Sequence, residues 1–229
     1  MTDDTTETPH YVGHRRRLRE RFLADGGEGF PDYELLEYLL TLAIPRRDTK
    51  PLAKALLDHF TSFAEVIGAP PEALAAFGMS EASIAAIKIV DAAAVRMMRR
   101  QAIDRPILSS WQKVLDYCHA AMARQPNEHF RVLFLDRKNK LIKDEVQQSG
   151  TVNHAPVYPR EVMKRALELG ASAIIMVHNH PSGDPSPSAA DVAMTHEVRD
   201  VGAKLGVTLH DHLIIGREGH ASLKALGLI

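Results

Sequence analysis

The spacing of hydrophobic residues divides the chain into two parts of different character. From Pro31 to about Arg100, apolar residues such as Leu35, Leu36 and Leu39 recur at helical intervals, which predicts a succession of helices. Beyond the middle of the chain, helical segments alternate with short apolar runs that are typical of strands. We therefore predict an α/β protein in which an all-helical domain precedes a mixed α/β domain.

A polar stretch that ends in a proline separates the two parts. Residues 99–106 read Arg-Arg-Gln-Ala-Ile-Asp-Arg-Pro and have the composition of a linker. The polar residues at the start of the chain show no periodicity and predict a disordered tail. The predicted organisation is a tail at 1–9, a helical domain at 10–104 and an α/β domain at 107–229.

The second part holds a recognisable order of strands and helices. Phe130–Leu135 and Leu141–Gln147 flank a polar turn and predict a β-hairpin. The apolar run Ala173–Val177 predicts a strand that is buried on both faces. A loop rich in proline, serine and glycine follows at 181–187. It leads to a predicted helix from about Ala189 to Leu205 and a last strand at Val207–Ile215.

Composition narrows the class of protein. The 229 residues are 45% hydrophobic and 25% charged, which is ordinary globular usage and excludes wholesale disorder. A net charge of −1 gives the whole molecule no attraction to nucleic acid. The single cysteine, Cys118, excludes an intrachain disulfide and favours a reducing compartment. With no apolar run near the ~20 residues of a membrane span and an acidic first segment, we expect a cytoplasmic protein without a membrane partner.

Twelve histidines prompt a search for metal ligands, and the predicted buried strand leads to two of them. His178 and His180 are two residues apart in extended chain, so that their side chains point the same way. Asp191 lies in the first turn of the next predicted helix. Two nitrogen ligands and one oxygen ligand suit zinc, and three protein ligands leave the fourth position open for catalysis. Such an ion lowers the pKa of its bound water from ~15.7 towards ~7.

The same residues also have structural explanations. A histidine pair at the end of a strand is often a surface or hydrogen-bonded feature. Ser188 and Asp191 fit the Ser-x-x-Asp capping box, which marks the start of a helix without implying any chemistry. His212, near the end of the last strand, is either a partner of the metal ligands or part of a hydrogen bond within the sheet.

The chain resembles a known family at these residues. His178-x-His180, seven residues, Ser188, two residues and Asp191 is similar to the core motif of the JAB/MPN (JAMM) zinc metallopeptidases. Further segments resemble the bacterial RadC family within that superfamily: Asp144-Glu145-Val146, Gly150–Asn153, Pro159–Val162, His178–Gly183, Asp211-His212 and Ala225–Leu228. The resemblance covers about 107–229, and the first half resembles the helical region of the family more loosely.

The resemblance implies a function and a role for each motif residue. It implies that His178, His180 and Asp191 bind Zn²⁺ and that Ser188 hydrogen-bonds the zinc-bound water or the oxyanion of the tetrahedral intermediate. Glu145 matches the upstream glutamate of the family, which takes a proton from that water and passes it to the leaving amine. The implied reaction is hydrolysis of a peptide or isopeptide bond in a peptide or protein substrate. The family name implies a link to DNA repair.

Contact between the N-terminal domain and DNA is a separate hypothesis. Residues 71–100 resemble a helix-hairpin-helix unit, whose hairpin backbone holds a phosphate at a helix N-terminus. Here the hairpin reads Gly78-Met79-Ser80, so that the second glycine is replaced by a residue suited to capping a helix. Glu81 would repel phosphate. The basic stretch Arg15–Arg21 is a better electrostatic candidate, although such stretches are usually solvated.

Three functions follow from these observations and are separable by experiment. The first is a zinc-dependent peptidase or isopeptidase. The second is a DNA-binding accessory factor in repair or recombination, in which the metal is structural or regulatory. The third is a metal-dependent phosphodiesterase that uses the same ligands. The sequence predicts neither the identity of the substrate nor an oligomeric state.

Overall fold

The computed structural model describes residues 13–103, 106–149 and 157–229. The predicted tail at 1–9 and the motif at 150–153 lie outside these residues. Contacts between residues divide the chain into a unit from Met1 to Ala92 and a unit from Ala93 to Ile229. The dividing point falls inside the long helix Glu81–Ile103, which also contains residues 99–103 of the predicted linker. The linker prediction is wrong over those residues, because the helix continues through their polar side chains. Within the described residues, no helix combines the length and the apolar character needed to cross a membrane.

The first unit is helical, as its apolar spacing predicts. Its helices are α1 (His14–Asp25), α2 (Asp32–Ala43), α3 (Lys50–Phe60), α4 (Phe63–Gly68), α5 (Pro71–Ala75) and the first part of α6 (Glu81–Ile103). Leu36, Leu40 and Leu56 are buried in its core together with Ile87. Their spacing on one face of each helix explains why the helices pack together, since each helix alone would leave that face in water.

The second unit combines helices with one sheet. A short 3₁₀ helix at Ile107–Ser110 is followed by α7 (Trp111–Met122), β1 (His129–Leu135), β2 (Leu141–Ser149), α8 (Pro159–Glu168), β3 (Ala173–Asn179), α9 (Ala189–Lys204), β4 (Thr208–Gly216) and β5 (Gly219–Ser222). The predicted hairpin is present as β1 and β2. Strand β3 continues past the predicted end at Val177, so that His178 belongs to it. Strand β5 is an addition to the predicted elements.

The five strands form a sheet in the order β2-β1-β3-β4-β5. Strand β3 pairs with β1 antiparallel and with β4 parallel, and α9 makes the crossover between the two parallel strands. Ile175 and Val177 pack in the layer that includes α7, whereas Ile174 and Met176 pack in the layer that includes α8 and α9. Strand β3 is therefore buried on both faces, and the predicted fold class is confirmed.

One of the two layers contains a largely buried group of charged and polar side chains, which we call the ion-pair cluster: Tyr117, Arg131 and Asp144. The Arg131 guanidinium donates hydrogen bonds to Asp144 at 2.5 Å and to the Tyr117 hydroxyl at 2.8 Å. The Tyr117 hydroxyl donates to the second oxygen of Asp144. Because Asp144 pairs across the ladder with Leu133, this cluster lies on the face that packs against α7.

Candidate metal centre

The structure brings His178, His180 and Asp191 together in one cluster, which we call the metal centre. One ligand atom from each lies within 4.8 Å of the others. The Nε2 atoms of the two histidines are 3.0 Å apart, and Asp191 oxygens lie 3.3 Å from His178 Nε2 and 3.6 Å from His180 Nε2. Ligands ~2.0–2.1 Å from a tetrahedral zinc are separated by ~3.3 Å. The three side chains therefore have the mutual spacing that a zinc ion requires.

The capping box at the start of α9 is present and also aims the Asp191 carboxylate. Ser188 Oγ accepts a hydrogen bond from the Asp191 backbone N–H at 3.2 Å. Asp191 Oδ2 in turn accepts from the Ser188 backbone N–H at 2.8 Å and from the Ser188 hydroxyl at 2.6 Å. The structural explanation of this motif and the metal-site explanation are therefore compatible, because the cap fixes the carboxylate next to the histidines.

The loop between β3 and α9 fixes the ring of His180. The Nδ1–H of the His180 ring donates a hydrogen bond to the backbone carbonyl of Asp184 at 2.9 Å. The loop itself is fitted closely to the end of β4, where a Cβ added at Gly216 would lie 2.1 Å from the Gly183 carbonyl oxygen. Gly183 has a φ of 99°, a conformation that favours glycine. The backbone carbonyl of Asp184 therefore orients the ring of His180.

Burial and neighbouring charges set the protonation of the cluster. Burial lowers the pKa of His178 to about 4, so that this imidazole is neutral at pH 7. A hydrogen bond with Asp191 raises the pKa of His180. Burial alone would raise the pKa of Asp191, but its contacts with His180 and His178 lower it below the ordinary value. The cluster thus places a neutral imidazole and a carboxylate charge beside His180, whose Nε2 proton a divalent cation would displace on binding.

Two further buried side chains form a series of hydrogen-bond contacts that starts at the Nδ1 atom of His178. His178 Nδ1 lies 2.8 Å from His212 Nε2, and His212 Nδ1 lies 2.6 Å from Thr195 Oγ1. The Thr195 hydroxyl donates to the backbone carbonyl of Asp191. The sequence left the role of His212 open and missed Thr195. Thr195 could have been identified from its position, because it lies four residues after Asp191 and therefore on the same face of α9.

The structure does not place Glu145 in contact with these ligands. Among the described residues, it makes no hydrogen bond or ion pair to His178, His180 or Asp191. Its carboxylate instead accepts two hydrogen bonds from Arg165 on α8, at 2.8 and 2.7 Å, and these lower its pKa. Glu145 lies opposite Val132, which lies opposite Met176, so that its side chain is on the same face of the sheet as His178.

Comparisons with known proteins agree with these observations. A family model described as the RadC-like JAB domain matches residues 108–228, a range that includes every ligand of the metal centre. A relative from Rhodobacter capsulatus, named only as a UPF0758 protein, is 61% identical over 213 residues. The match covers 93% of this chain and the full length of that relative.

Proposed function

Because the chain belongs to the RadC-like JAB family, we propose that its α/β unit is a zinc-dependent hydrolase that cleaves a peptide-type bond. The observation that carries this proposal is the convergence of two imidazole nitrogens and one carboxylate at separations of 3.0–3.6 Å. Three protein ligands, rather than four, are typical of catalytic zinc sites, since they leave one position for water or substrate.

In this proposal the residues of the metal centre bind and orient. His178 and His180 would hold zinc through their Nε2 atoms, and Asp191 would hold it through its carboxylate. Zinc bound there would polarise a carbonyl group and supply hydroxide near neutral pH. The hydroxyl proton of Ser188 is already donated to Asp191 at 2.6 Å. Ser188 therefore aims a ligand, and the proposed contact with a substrate oxyanion requires its hydroxyl to turn away from Asp191.

We assign proton transfer to Glu145, and the ion pair with Arg165 affects the basicity of its carboxylate. A general base must accept a proton and return it within one turnover, which is easiest when its pKa is near the working pH. The two hydrogen bonds from Arg165 lower the pKa of Glu145 and make it a weaker base. The proposed role therefore includes release of Glu145 from Arg165 when substrate is bound.

The metal is tested by elemental analysis of the purified chain from zinc-replete cells. We expect about one zinc per chain in the wild type, and loss of zinc in His180→Ala and Asp191→Ala, because each change removes one ligand. His220→Ala is the matched control, since His220 is an exposed histidine on β5. A metal-free wild-type protein, or equal zinc content in all four proteins, contradicts the proposal.

The reaction class is tested on the zinc-loaded protein with peptide and nucleic-acid substrates. We expect turnover of a peptide-type bond, and we expect Glu145→Gln to retain zinc while losing turnover, because glutamine cannot accept the proton. Hydrolysis of phosphodiesters instead of peptides would favour the phosphodiesterase. Full turnover by Glu145→Gln would assign proton transfer to another group.

The proposed contact between the helical unit and DNA rests on fewer available donors than the sequence implied. Arg15 donates its guanidinium hydrogen bonds to the backbone carbonyls of Ile44, Pro45 and Arg47. Ser80 Oγ accepts from the Ser83 backbone N–H at 3.3 Å and so occupies a donor that a phosphate would use. Salt-dependent binding to single-stranded or branched DNA, weakened by Arg16→Gln, would support the accessory function. Absent or salt-independent binding would exclude it.

We also propose that the protein works in the cytoplasm. Its one cysteine, Cys118, is buried and free, a state that a reducing compartment preserves. Cell fractionation with detection of the intact chain tests this, and recovery outside the cytoplasm would contradict it.

A further inference from the structure

A line of hydrogen bonds runs from the backbone of α9 to the ligand side of His178. It starts at the backbone carbonyl of Asp191, which accepts from the Thr195 hydroxyl. It continues through 2.6 Å from Thr195 Oγ1 to His212 Nδ1 and 2.8 Å from His212 Nε2 to His178 Nδ1. It ends where His178 Nε2 faces an Asp191 carboxylate oxygen at 3.3 Å. Asp191 therefore lies at both ends of the line.

The chemistry of the groups fixes the direction of every proton along this line. A carbonyl oxygen only accepts, so the single hydroxyl proton of Thr195 is used at Asp191. Thr195 Oγ1 must then accept from His212, which places the proton of the His212 ring on Nδ1. A neutral His212 consequently has a bare Nε2, which accepts from His178 Nδ1–H. The remaining nitrogen of His178, Nε2, is left with a lone pair.

We infer that His212, held by Thr195, is a positioning residue that selects the tautomer of His178 in which the Nε2 lone pair faces His180 and Asp191. The inference rests on the proposed function in one respect, which is that this lone pair serves a zinc ion. With the opposite tautomer, His178 would present an N–H to the ion and could not bind it. The partner of the second ring nitrogen generally decides which nitrogen of a ligand histidine is free.

A purely structural role for the same contacts predicts different behaviour. A threonine inside a helix often returns its hydroxyl to the carbonyl four residues earlier, so the Thr195 bond alone indicates no function. His212 is completely buried and uses both ring nitrogens, one on Thr195 and one on His178. If the site required only a ring of this size for packing, the proton direction would be immaterial, and removing the Thr195 hydroxyl would leave His178 unchanged.

The tautomer is measured directly on the metal-free protein by nitrogen-15 NMR of the histidine rings. We expect the His178 proton on Nδ1 in the wild type and in Thr195→Ser, which keeps the hydroxyl. We expect a mixture of tautomers in Thr195→Val, which has nearly the same shape but no hydroxyl. A wild-type His178 with its proton on Nε2, or a single Nδ1–H form in Thr195→Val, overturns the inference whether or not zinc binds.

Zinc affinity supplies the second readout, by competition with a chelator. Loss of a group that orients a metal ligand typically weakens affinity about 10–100-fold. We expect that loss in His212→Phe, a smaller loss in Thr195→Val, and a change below about threefold in Thr195→Ser. His212→Gln is expected to recover part of the affinity, because its amide oxygen can accept from His178 Nδ1–H. Wild-type affinity in both His212→Phe and Thr195→Val overturns the inference.

The two readouts separate this inference from the proposed function. A protein that shows the Nδ1–H form of His178 but binds no zinc would contradict the proposed function and leave the positioning role of His212 intact. A protein that binds zinc and lacks the tautomer preference would contradict the positioning role of His212 and leave the proposed function intact.

Discussion

Two polar clusters lie on opposite faces of the same sheet and differ in how their charges are balanced. In the ion-pair cluster, the Arg131 guanidinium and the Tyr117 hydroxyl supply protons to both oxygens of Asp144. In the metal centre, His178 Nε2 and His180 Nε2 approach within 3.0 Å of each other beside an Asp191 carboxylate. The first cluster carries its own cation, and the second has the geometry of a site whose cation comes from outside.

The two clusters also differ in the elements that build them. Every member of the ion-pair cluster lies on a regular helix or strand, namely α7, β1 and β2. The metal centre takes His178 from a strand, Asp191 from a helix and His180 from the loop that follows β3. A buried pair of fixed charges stabilises geometry that already exists. In the metal centre, by contrast, His180 lies on a loop, so that its position is set by contacts with neighbours such as Asp184.

The largest expected effect is on the ion-pair cluster. Arg131→Met leaves Asp144 buried without its main cation, and breaking such a pair costs about 3–5 kcal/mol of the free energy of unfolding. Urea denaturation measures this. Combining Arg131→Met with Asp144→Leu should recover most of the loss, because no charge is then left buried. A single variant within about 1 kcal/mol of wild type would show that the cluster is balanced by other groups.

Zinc is expected to stabilise the metal centre by a comparable amount, but only when it is present. A ligand that binds only the folded state adds about 4 kcal/mol at a free concentration about a thousandfold above its dissociation constant. Thermal unfolding with zinc and with a chelator should show this difference in the wild type, and Asp191→Ala should abolish it. An equal shift in Asp191→Ala would place the bound zinc elsewhere in the chain.

A smaller effect is expected where the loop of the metal centre contacts β4. Gly216→Ala would bring a Cβ within 2.1 Å of the Gly183 carbonyl oxygen, and overpacking of this kind costs about 1–3 kcal/mol. Because the loop carries His180, zinc affinity should fall together with stability. Gly29→Ala in the helical unit is the control, since an added Cβ there would meet only the flexible end of the Asp25 side chain. Retention of zinc affinity in Gly216→Ala would show that the loop can shift without moving its ligand.

The smallest effect concerns Cys118, which lies beside Tyr117 on the face of the ion-pair cluster. Burial raises the pKa of its thiol to about 12, so that at pH 8 almost no thiolate exists in the folded protein. Alkylation should therefore be slow in the native protein, fast in denaturant, and faster in Arg131→Met, which unfolds more often. Rapid alkylation of the native wild type would show that this layer opens locally.

The residues that sequence reasoning found are those whose contacts depend on local spacing. His178 and His180 share a direction because they are two residues apart at the end of a strand, and Asp191 follows from the capping pattern of α9. His178 and His212 meet only because β3 and β4 pair in parallel with Met176 opposite His212. That register includes an irregularity between Ile174 and Ile175, which cannot be predicted from the local sequence.

The pairing of Glu145 with Arg165 could not be predicted from the sequence, because it also depends on how separate elements pack. The two residues are 20 positions apart and meet because α8 packs against the β1 side chains on that face of the sheet. The fold class, by contrast, followed from periodicity alone, since alternating strands and helices leave few ways to bury their apolar faces. Periodicity therefore predicted the layers, and local spacing predicted that three side chains would lie together, while the further hydrogen bonds of those side chains required the packed structure.

The connection between β3 and β4 has a consequence for inheritance. His178, His180, Asp191, Thr195 and His212 all belong to one strand–helix–strand stretch that begins at Ala173 and ends at Gly216. A gene segment that encodes this stretch carries the three proposed metal ligands together with the two groups proposed to orient them. Exchange or divergence of the rest of the gene can therefore change the surroundings of the metal centre while its proposed ligands are inherited together.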